Sequence, residues 1–426
     1  MESILLFGLF IGALVLGIPV ATSLAAVACL LIWMFDLGIR GISPNFYAGI
    51  AKFQLLAIPF FILAGLIMER CGISRRLVNL ISLVVGPIPG GLAVVTVAVG
   101  LIFAGISGSG PADTAALGTI LIGAMAAKGY AKPFTAALIA SAGSLAIIVP
   151  PSIALILYGV ITGTSIPALF AAGAGPGVLV GLLLVIPALV ISWKRGWRGE
   201  RWGTPAEIRK AFKDAVWGLA APFIILGGMY SGMFTPTEAA VVAVFYGLFV
   251  GMVIHRELHG RDLYALLRDA VLSSAVIMMI VAFAGLYSWT GSTLGVMDKF
   301  SGYLLNVSKD PWVVMILINV ILFVAGMLMD AISIYYIFLP ILIPIIKLFH
   351  WDPIWFGVVM TVNLAIGQIT PPVAVNLYVV CNLARIGIEE LSVAIVPFLL
   401  VMLLALGLVI YFPALSTFLP AFFKLG

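Results

Sequence analysis

Two stretches of this chain repeat one pattern about 220 residues apart. Residues 103–158 run FAGISGSGPADTAALG, a polar break KGYAKP, then AGSLAIIVPPSIALILY; residues 323–378 run FVAGMLMDAISIYYIFLP, LFHWDP, then NLAIGQITPPVAVNLY. Each copy has Ala-Gly, a nearby Asp, a polar interruption closed by Pro, and a Pro-Pro pair in the same order. A lone Gly/Pro-broken apolar segment is a poor helix. Two in corresponding positions of two halves are the sequence mark of a membrane transporter built from an internal repeat, with its binding site at the breaks.

Composition sets the medium. The chain is 63% hydrophobic and 9% charged, where soluble domains carry about 25% charged residues. Runs such as 4–34, 165–192, 216–229, 239–254 and 395–411 are nearly uncharged, and most approach the ~20 residues that cross a bilayer. The first run lacks a basic leader and reads as the first span rather than a removed signal peptide. Cys29, Cys71 and Cys381 show no metal or redox spacing and read as packing residues. A net charge of +5 spread over loops implies no nucleic acid; it is a topology signal.

The densest basic segment, Lys194, Arg195, Arg198, Arg201, Arg209, Lys210 and Lys213, makes the linker 194–214 cytoplasmic. Two spans, about 216–234 and 237–254 with a turn at Thr235 and Pro236, return the chain to a basic loop with His255, Arg256, Arg261 and Arg268. One more span, about 271–290, makes 291–311 periplasmic. Its counterpart, 72–90, carries Arg75 and Arg76 and is cytoplasmic. Corresponding loops on opposite sides define an inverted repeat.

Within each copy, GISGSGPAD at 105–113 would expose unpaired backbone to lipid in a simple helix, and its flanking arms, of about 15 residues, are short for a span. The reading is a re-entrant hairpin over 91–127 with its tip at Ser107, Gly108, Ser109 and Gly110, and a second over 312–348 with its tip near 327–333. Pro150-Pro151 and Pro371-Pro372 remove amide donors and disfavour helix before them, which breaks the segments 134–162 and 353–385 into half-helices. Freed carbonyls, helix ends and the hydroxyls of Ser152 or Thr370 suit a hard cation such as Na+, and no His, Cys or paired-carboxylate cluster suits a transition metal.

GISGSGPADTAALG, the IIVPPS and ITPPVAVNLY breaks, and MFTPTEAAVVAVFYGL at 233–248 together resemble the large membrane subunit of tripartite ATP-independent periplasmic (TRAP) transporters, the DctM type, over essentially the whole chain. More distantly, the paired units resemble divalent anion/sodium symporters, whose Ser-Asn-Thr tip signatures this chain lacks. The resemblance implies an all-α polytopic protein of the bacterial inner membrane that works as an elevator. It implies Na+-driven uptake of an organic acid, of the sialic acid or C4-dicarboxylate class, delivered by a periplasmic binding protein. A small four-helix membrane subunit is the implied partner, in the unfused form. The expected Na+ ligands are Ser107, Gly108, Gly143, Val149, Pro150 and Ser152 in the first unit and Gly326, Gly367, Thr370 and Pro371 in the second. Substrate is expected at Ser107, Ser109, Asp113, Asp330, Ser333, Thr370 and Asn376.

Each of these residues also has a plainer use. Asp113 and Asp330 are costly ionisable groups near the tips, yet either could cap the returning arm. Ser107 and Ser109 could serve close helix packing, and Asn376 could join helices. Glu238 reads as an N-terminal helix residue, Arg70, Arg75, Arg76 and Arg385 as cytoplasmic anchors, and the tryptophans and histidines as interfacial or loop residues. Residues 72–85 and 293–308 read as amphipathic arms. The expected division is scaffold 1–71, transport unit 72–162, scaffold 163–290, transport unit 291–385 and a C-terminal helix over 386–426. Rival readings are a stand-alone sodium/dicarboxylate symporter, an anion channel, and an intramembrane aspartyl hydrolase, whose Gly-X-Gly-Asp signature is missing because Pro111 and Ala112 follow Gly110. An enzyme is not expected.

Overall fold

The computed structural model describes residues 2–425 apart from 198 and 200, so Arg198 of the basic linker lies outside the described residues. The described chain is helical, without strands. Eight of its helices are long and apolar enough to cross a membrane.

The chain opens with α1 (Glu2–Val15), α2 (Val20–Met34), α3 (Ile42–Ile50) and α4 (Ala57–Arg70). The first apolar run is therefore two short helices rather than one span. Gly17 takes φ +79° and Pro19 precedes α2, so the backbone turns where apolar composition alone predicts continuity. The arm α5 (Ile73–Val85) leads to the hairpin α6 (Gly91–Ser107) and α7 (Gly110–Ala127), then to the broken pair α8 (Lys132–Ser144) and α9 (Ile153–Thr162), and then to α10 (Ile166–Arg195).

The second half follows the same order. After α11 (Pro205–Tyr230) and α12 (Pro236–Phe249), α13 (Gly260–Thr293) leads to the arm α14 (Val296–Val307) and the hairpin α15 (Pro311–Leu328) and α16 (Ala331–Leu348). The broken pair α17 (Pro353–Gly367) and α18 (Val375–Ala384) comes next, then α19 (Ile388–Ala394), α20 (Val396–Tyr411) and α21 (Ala414–Phe422). Helices α5 and α14 cover most of 72–85 and 293–308, helix pairs cover 91–127 and 311–348, and the helix is interrupted at each Pro-Pro pair.

Several boundaries differ. The linker is shorter than 194–214 because Thr204 and Glu207 form a capping box that starts α11 at Pro205, so Arg209, Lys210 and Lys213 ride on a helix. Arg261 and Arg268 likewise ride on α13, which Asp262 helps to start through a bond to the His259 N–H. The hairpin arms are 17 or 18 residues, longer than expected. The C-terminal region is three helices, with α19 and α20 bent by 51° at their junction. Trp197, expected as an interfacial anchor, lies tilted against Tyr130 at 4.5 Å and Phe134 at 4.8 Å between ring centroids and ties the linker to the start of α8. His255, expected as an interfacial or loop residue, is half-buried with Nδ1 3.3 Å from the Cys71 carbonyl.

Packing draws the helices into two sets that meet where α13 lies on α16 and α4 on α6. In one, α12 lies on α4, α13 on α2, α3 and α4, and α11 on α5 and α12. In the other, the two repeats interlock: α7 and α8 pack on α18, and α9 packs on α16. The helix α10, grouped by sequence with the scaffold, packs instead on α6, α17, α20 and α21. Glycine makes that approach possible, since a Cβ on Gly175 would lie 2.5 Å from the Leu415 carbonyl of α21 and one on Gly181 3.3 Å from Leu101 of α6.

Candidate functional site

The first tip is built by three small residues in different conformations. Gly108 closes α6 in the left-handed region at φ +68°, and Ser109 returns to extended geometry before α7 begins at Gly110. The Gly108 carbonyl accepts the Ile153 N–H at 3.4 Å, and a Cβ on Gly108 would sit 2.5 Å from the Pro151 carbonyl. The tip thus rests on the middle of the first broken helix. Only glycine satisfies both the dihedral and the approach.

Tip 1 also meets the second break. A Cβ on Gly110 would lie 2.3 Å from Gln368 Oε1 and 3.3 Å from the Asn376 amide. One turn further along α7, Asp113 is fully buried; its Oδ1 accepts from Ser107 Oγ, which in turn accepts the Ser109 N–H at 3.2 Å. Asn376 Nδ2 donates to the Ala140 carbonyl at 3.3 Å. Asp113 Oδ2, Gln368 Oε1 and Asn376 Oδ1 have no hydrogen-bond partner. Two of these buried acceptors, on Gln368 and Asn376, flank Gly110, and the third lies on the next turn of α7; buried acceptors without a donor are an arrangement that proteins avoid unless something else supplies the positive end. Oxygen-only surroundings fit a hard cation, or the donor groups of a ligand.

Tip 2 is chemically different. Asp330 caps α16: Oδ2 accepts the N–H groups of Ile332 at 2.9 Å and Ser333 at 3.2 Å, and Oδ1 accepts Ser333 Oγ at 2.6 Å. Of the two aspartates, Asp330 makes cap bonds and Asp113 makes none to helix amides. Tip 2 reaches the second break where Val373 N–H donates to the Met327 carbonyl at 3.2 Å. The backbones of Gly326 and Gly367 touch beside it, each leaving no room for a side chain on the other.

The other expected residues divide between site and structure. Gly143 lies against Thr114, where a Cβ would fall 2.1 Å from Oγ1. Ser152 caps α9, accepting the Leu155 N–H and donating to the Ile147 carbonyl. Thr370 Oγ1 donates to the Ile366 carbonyl at 2.7 Å. The Pro150 carbonyl faces Gly105 of α6, and Val149 packs on Gly177. Pro371 is half-buried and Pro372 exposed, whereas Pro150 and Pro151 are buried, so the second break is the more open. No hydrogen bond joins the two tips among the described residues; they are connected through the second break.

Sequence reading missed Gln368. Its signal was available: GQITPP places an amide at the break where the first copy has apolar Ile147. Asn363, whose Nδ2 donates to Asn319 Oδ1 at 2.9 Å, was also missed, because an amide pair between α15 and α17 has no local sequence signature.

Comparison with known proteins gives concordant results. Residues 7–415 match the family model described as "Tripartite ATP-independent periplasmic transporter, DctM component". The chain is 40% identical to the isethionate TRAP transporter permease protein DctMQ of Oleidesulfovibrio alaskensis, across 97% of this chain and 65% of that longer protein. It is 35% identical to the C4-dicarboxylate TRAP transporter large permease protein DctM of Rhodobacter capsulatus, across 99% of both. It is 36% identical to the sialic acid TRAP transporter large permease protein SiaM of Vibrio cholerae, across 98% of both. Among solved structures, the Alcanivorax borkumensis YdaH transporter shares the fold, with a TM-score of 0.63 at 17% identity over 91% of this chain and 90% of that one. Neisseria gonorrhoeae MtrF does so with a TM-score of 0.57 at 14% identity over 88% and 83%.

Proposed function

The chain belongs to the DctM-component family of tripartite ATP-independent periplasmic transporters and is a multi-pass inner-membrane permease subunit, and from that premise we propose that it drives uptake of an organic acid with an inward Na+ gradient. The observation that carries the reading is the set of unpartnered buried oxygens at the first tip and the second break, Gln368 Oε1 and Asn376 Oδ1 beside Gly110 and Asp113 Oδ2 one turn along α7. A desolvated Na+ there would take oxygen ligands from a tip and a break at once, so its binding would join parts of both repeats. An anionic substrate bound between the tips would then be balanced by the ion's charge. This balance matters because no basic side chain is among the groups that build the two tips and breaks.

The moving part in this proposal is the interlocked set formed by α6–α10 and α15–α20, sliding against α4 and α11–α13. The arms α5 and α14 connect the two sets, which is the geometry an elevator needs. A periplasmic binding protein delivers the substrate, and a small membrane subunit completes the complex. Relatives are named for C4-dicarboxylate, sialic acid and isethionate, all anions, so the substrate class proposed is an organic acid.

The test is uptake into proteoliposomes with the small subunit and candidate binding proteins, using C4-dicarboxylate, sialic acid and isethionate in parallel. Accumulation of one solute that collapses without a Na+ gradient is the expected result. Equal uptake with no Na+ would end the coupling proposal, and full uptake with no binding protein would favour a stand-alone symporter.

A further inference from the structure

A second, chemically distinct cavity lies away from the tips. It occupies about 770 Å³ between α11 on one side and α6, the first break and α10 on the other. Leu101 and Gly105 of α6 and Val149 of the break form its floor, and α11 lines it from Leu219 to Ser231. Charged side chains are absent from its described lining, so it does not suit the organic acid. Its mouth opens between exposed apolar side chains, Phe223 at 79% and Val178 at 46%, on helices long and apolar enough to cross a membrane.

The length and the polarity gradient identify what fits. The stretch of α11 from Leu219 to Ser231 covers about 18 Å at 1.5 Å per residue, against the ~15 Å that one leaflet contributes to a ~30 Å hydrocarbon core. Because α11 leaves the basic cytoplasmic linker, its Tyr230 end is periplasmic. There the lining changes character: the Tyr230 ring stacks on Phe423 at 5.0 Å, and its hydroxyl is buried without a hydrogen-bond partner. An apolar gap open to a bilayer gains nothing from water and is filled by what surrounds it.

We propose that this cleft binds an acyl chain of a phospholipid from the periplasmic leaflet, whose ester carbonyl accepts a hydrogen bond from the Tyr230 hydroxyl. The chain lies against Val149 and Pro150, and so separates the first break from α11 with an apolar filler. Direct helix contact along this seam is then limited to places such as Gly105 against Pro222, where a Cβ would meet the ring at 3.2 Å.

The experiment is photo-crosslinking of the full chain in vesicles with a phospholipid bearing a diazirine at the end of one acyl chain, followed by peptide mapping. Labelling of Leu101, Gly105 or Val149 is expected. Labelling confined to outward residues such as Val190 and Leu400 overturns the proposal, as does floor labelling that disappears when the small membrane subunit is added. A second measurement is native mass spectrometry of Gly227→Trp. Nothing lies within 4 Å of a Cβ at Gly227, so the indole enters the cleft without displacing a helix. Lipid retention is expected to fall about tenfold, equivalent to roughly 1.4 kcal/mol, and unchanged retention counts against the site. Neither readout needs Na+ or substrate, so failure here leaves the transport proposal standing, and the converse.

Discussion

Asp113 and Asp330 occupy comparable places in the two repeats, yet the structure gives them different work. Asp330 spends both oxygens on the first turn of α16, whereas Asp113 keeps Oδ2 buried without a hydrogen-bond partner, one turn along α7 from Gly110. Replacing each by Asn separates the roles. Asp113→Asn is expected to raise the Na+ concentration for half-maximal uptake about tenfold, near 1.4 kcal/mol, with little change in Tm. Asp330→Asn is expected to lower stability by up to ~1 kcal/mol through the weakened cap, read as a drop in Tm, and to leave the Na+ dependence in place. Equal Na+ dependence in wild type and Asp113→Asn would move Asp113 into the structural class. A second residue test concerns Lys52, whose half-buried ammonium donates to the Val160 carbonyl at 2.9 Å, at the C-terminal end of α9. Burial lowers its pKa, and its favourable partner is the negative end of a helix. Lys52→Met is expected to speed hydrogen exchange at residues 160–164 about tenfold, in line with the ~1.5–3 kcal/mol of a charged hydrogen bond; unchanged exchange would show that the contact holds nothing. These residue roles were only partly legible beforehand, because a cap and a ligand use the same side chain and differ in which atoms it faces.

At the level of elements, boundaries follow caps and packing more than hydrophobicity. The start of α11 is an example. Arg201 first, then the Thr204 N–H and hydroxyl, hold the Glu207 carboxyl down to about 2. A folded-state pKa below the unfolded one contributes stability above the ordinary carboxylate range, and that contribution disappears as pH falls toward 2. The pair is exposed, so solvent screens it. Hydrogen exchange at residues 205–209 is therefore expected to be flat from pH 7 to about 5 after correction for intrinsic rates, and to rise below the carboxylate range. In Glu207→Gln the same amides are expected to exchange faster at pH 7 and to lose that acid-dependent rise. A rise of equal size in the variant would dissociate Glu207 from it. The arms show the other influence. Arg76 of α5 pairs at 2.6 Å with Glu257 in the loop before α13, and Arg70 at the end of α4 pairs at 3.2 Å with Asp262 in the first turn of α13. The amphipathic pattern foretold an arm there. It did not foretell the anchor, since the acidic partners are some 180 residues away in sequence.

For the whole molecule, the decisive feature is the crossed packing of the repeats, α7 and α8 on α18 and α9 on α16, beside a second group made by α4 and α11–α13 that touches them through α13 on α16 and α4 on α6. The proposed movement between these groups can be arrested at Gly105 and Pro222, where a Cβ on the glycine would lie 3.4 Å from the proline Cβ, close to the ~3.5–4.5 Å of a disulfide. In a background without Cys29, Cys71 and Cys381, the Gly105→Cys/Pro222→Cys pair is expected to cross-link on oxidation, to stop uptake, and to recover with reductant. Cross-linked protein that transports at the wild-type rate would exclude sliding at this seam. The duplicated order, the two tips and the two Pro-Pro breaks were determined by sequence alone, because the backbone chemistry of glycine and proline is local and leaves its mark wherever the chain goes. The inclusion of α10 among the duplicated units, the recruitment of Gln368 to the first tip, the satisfied state of Asp330 and the lipid-facing cleft were decided only in three dimensions. Each depends on which surfaces come within contact distance, and in an almost uniformly apolar chain nearly every helix face is chemically fit to be buried. Close approach of glycines and the pairing of distant polar atoms choose among those faces.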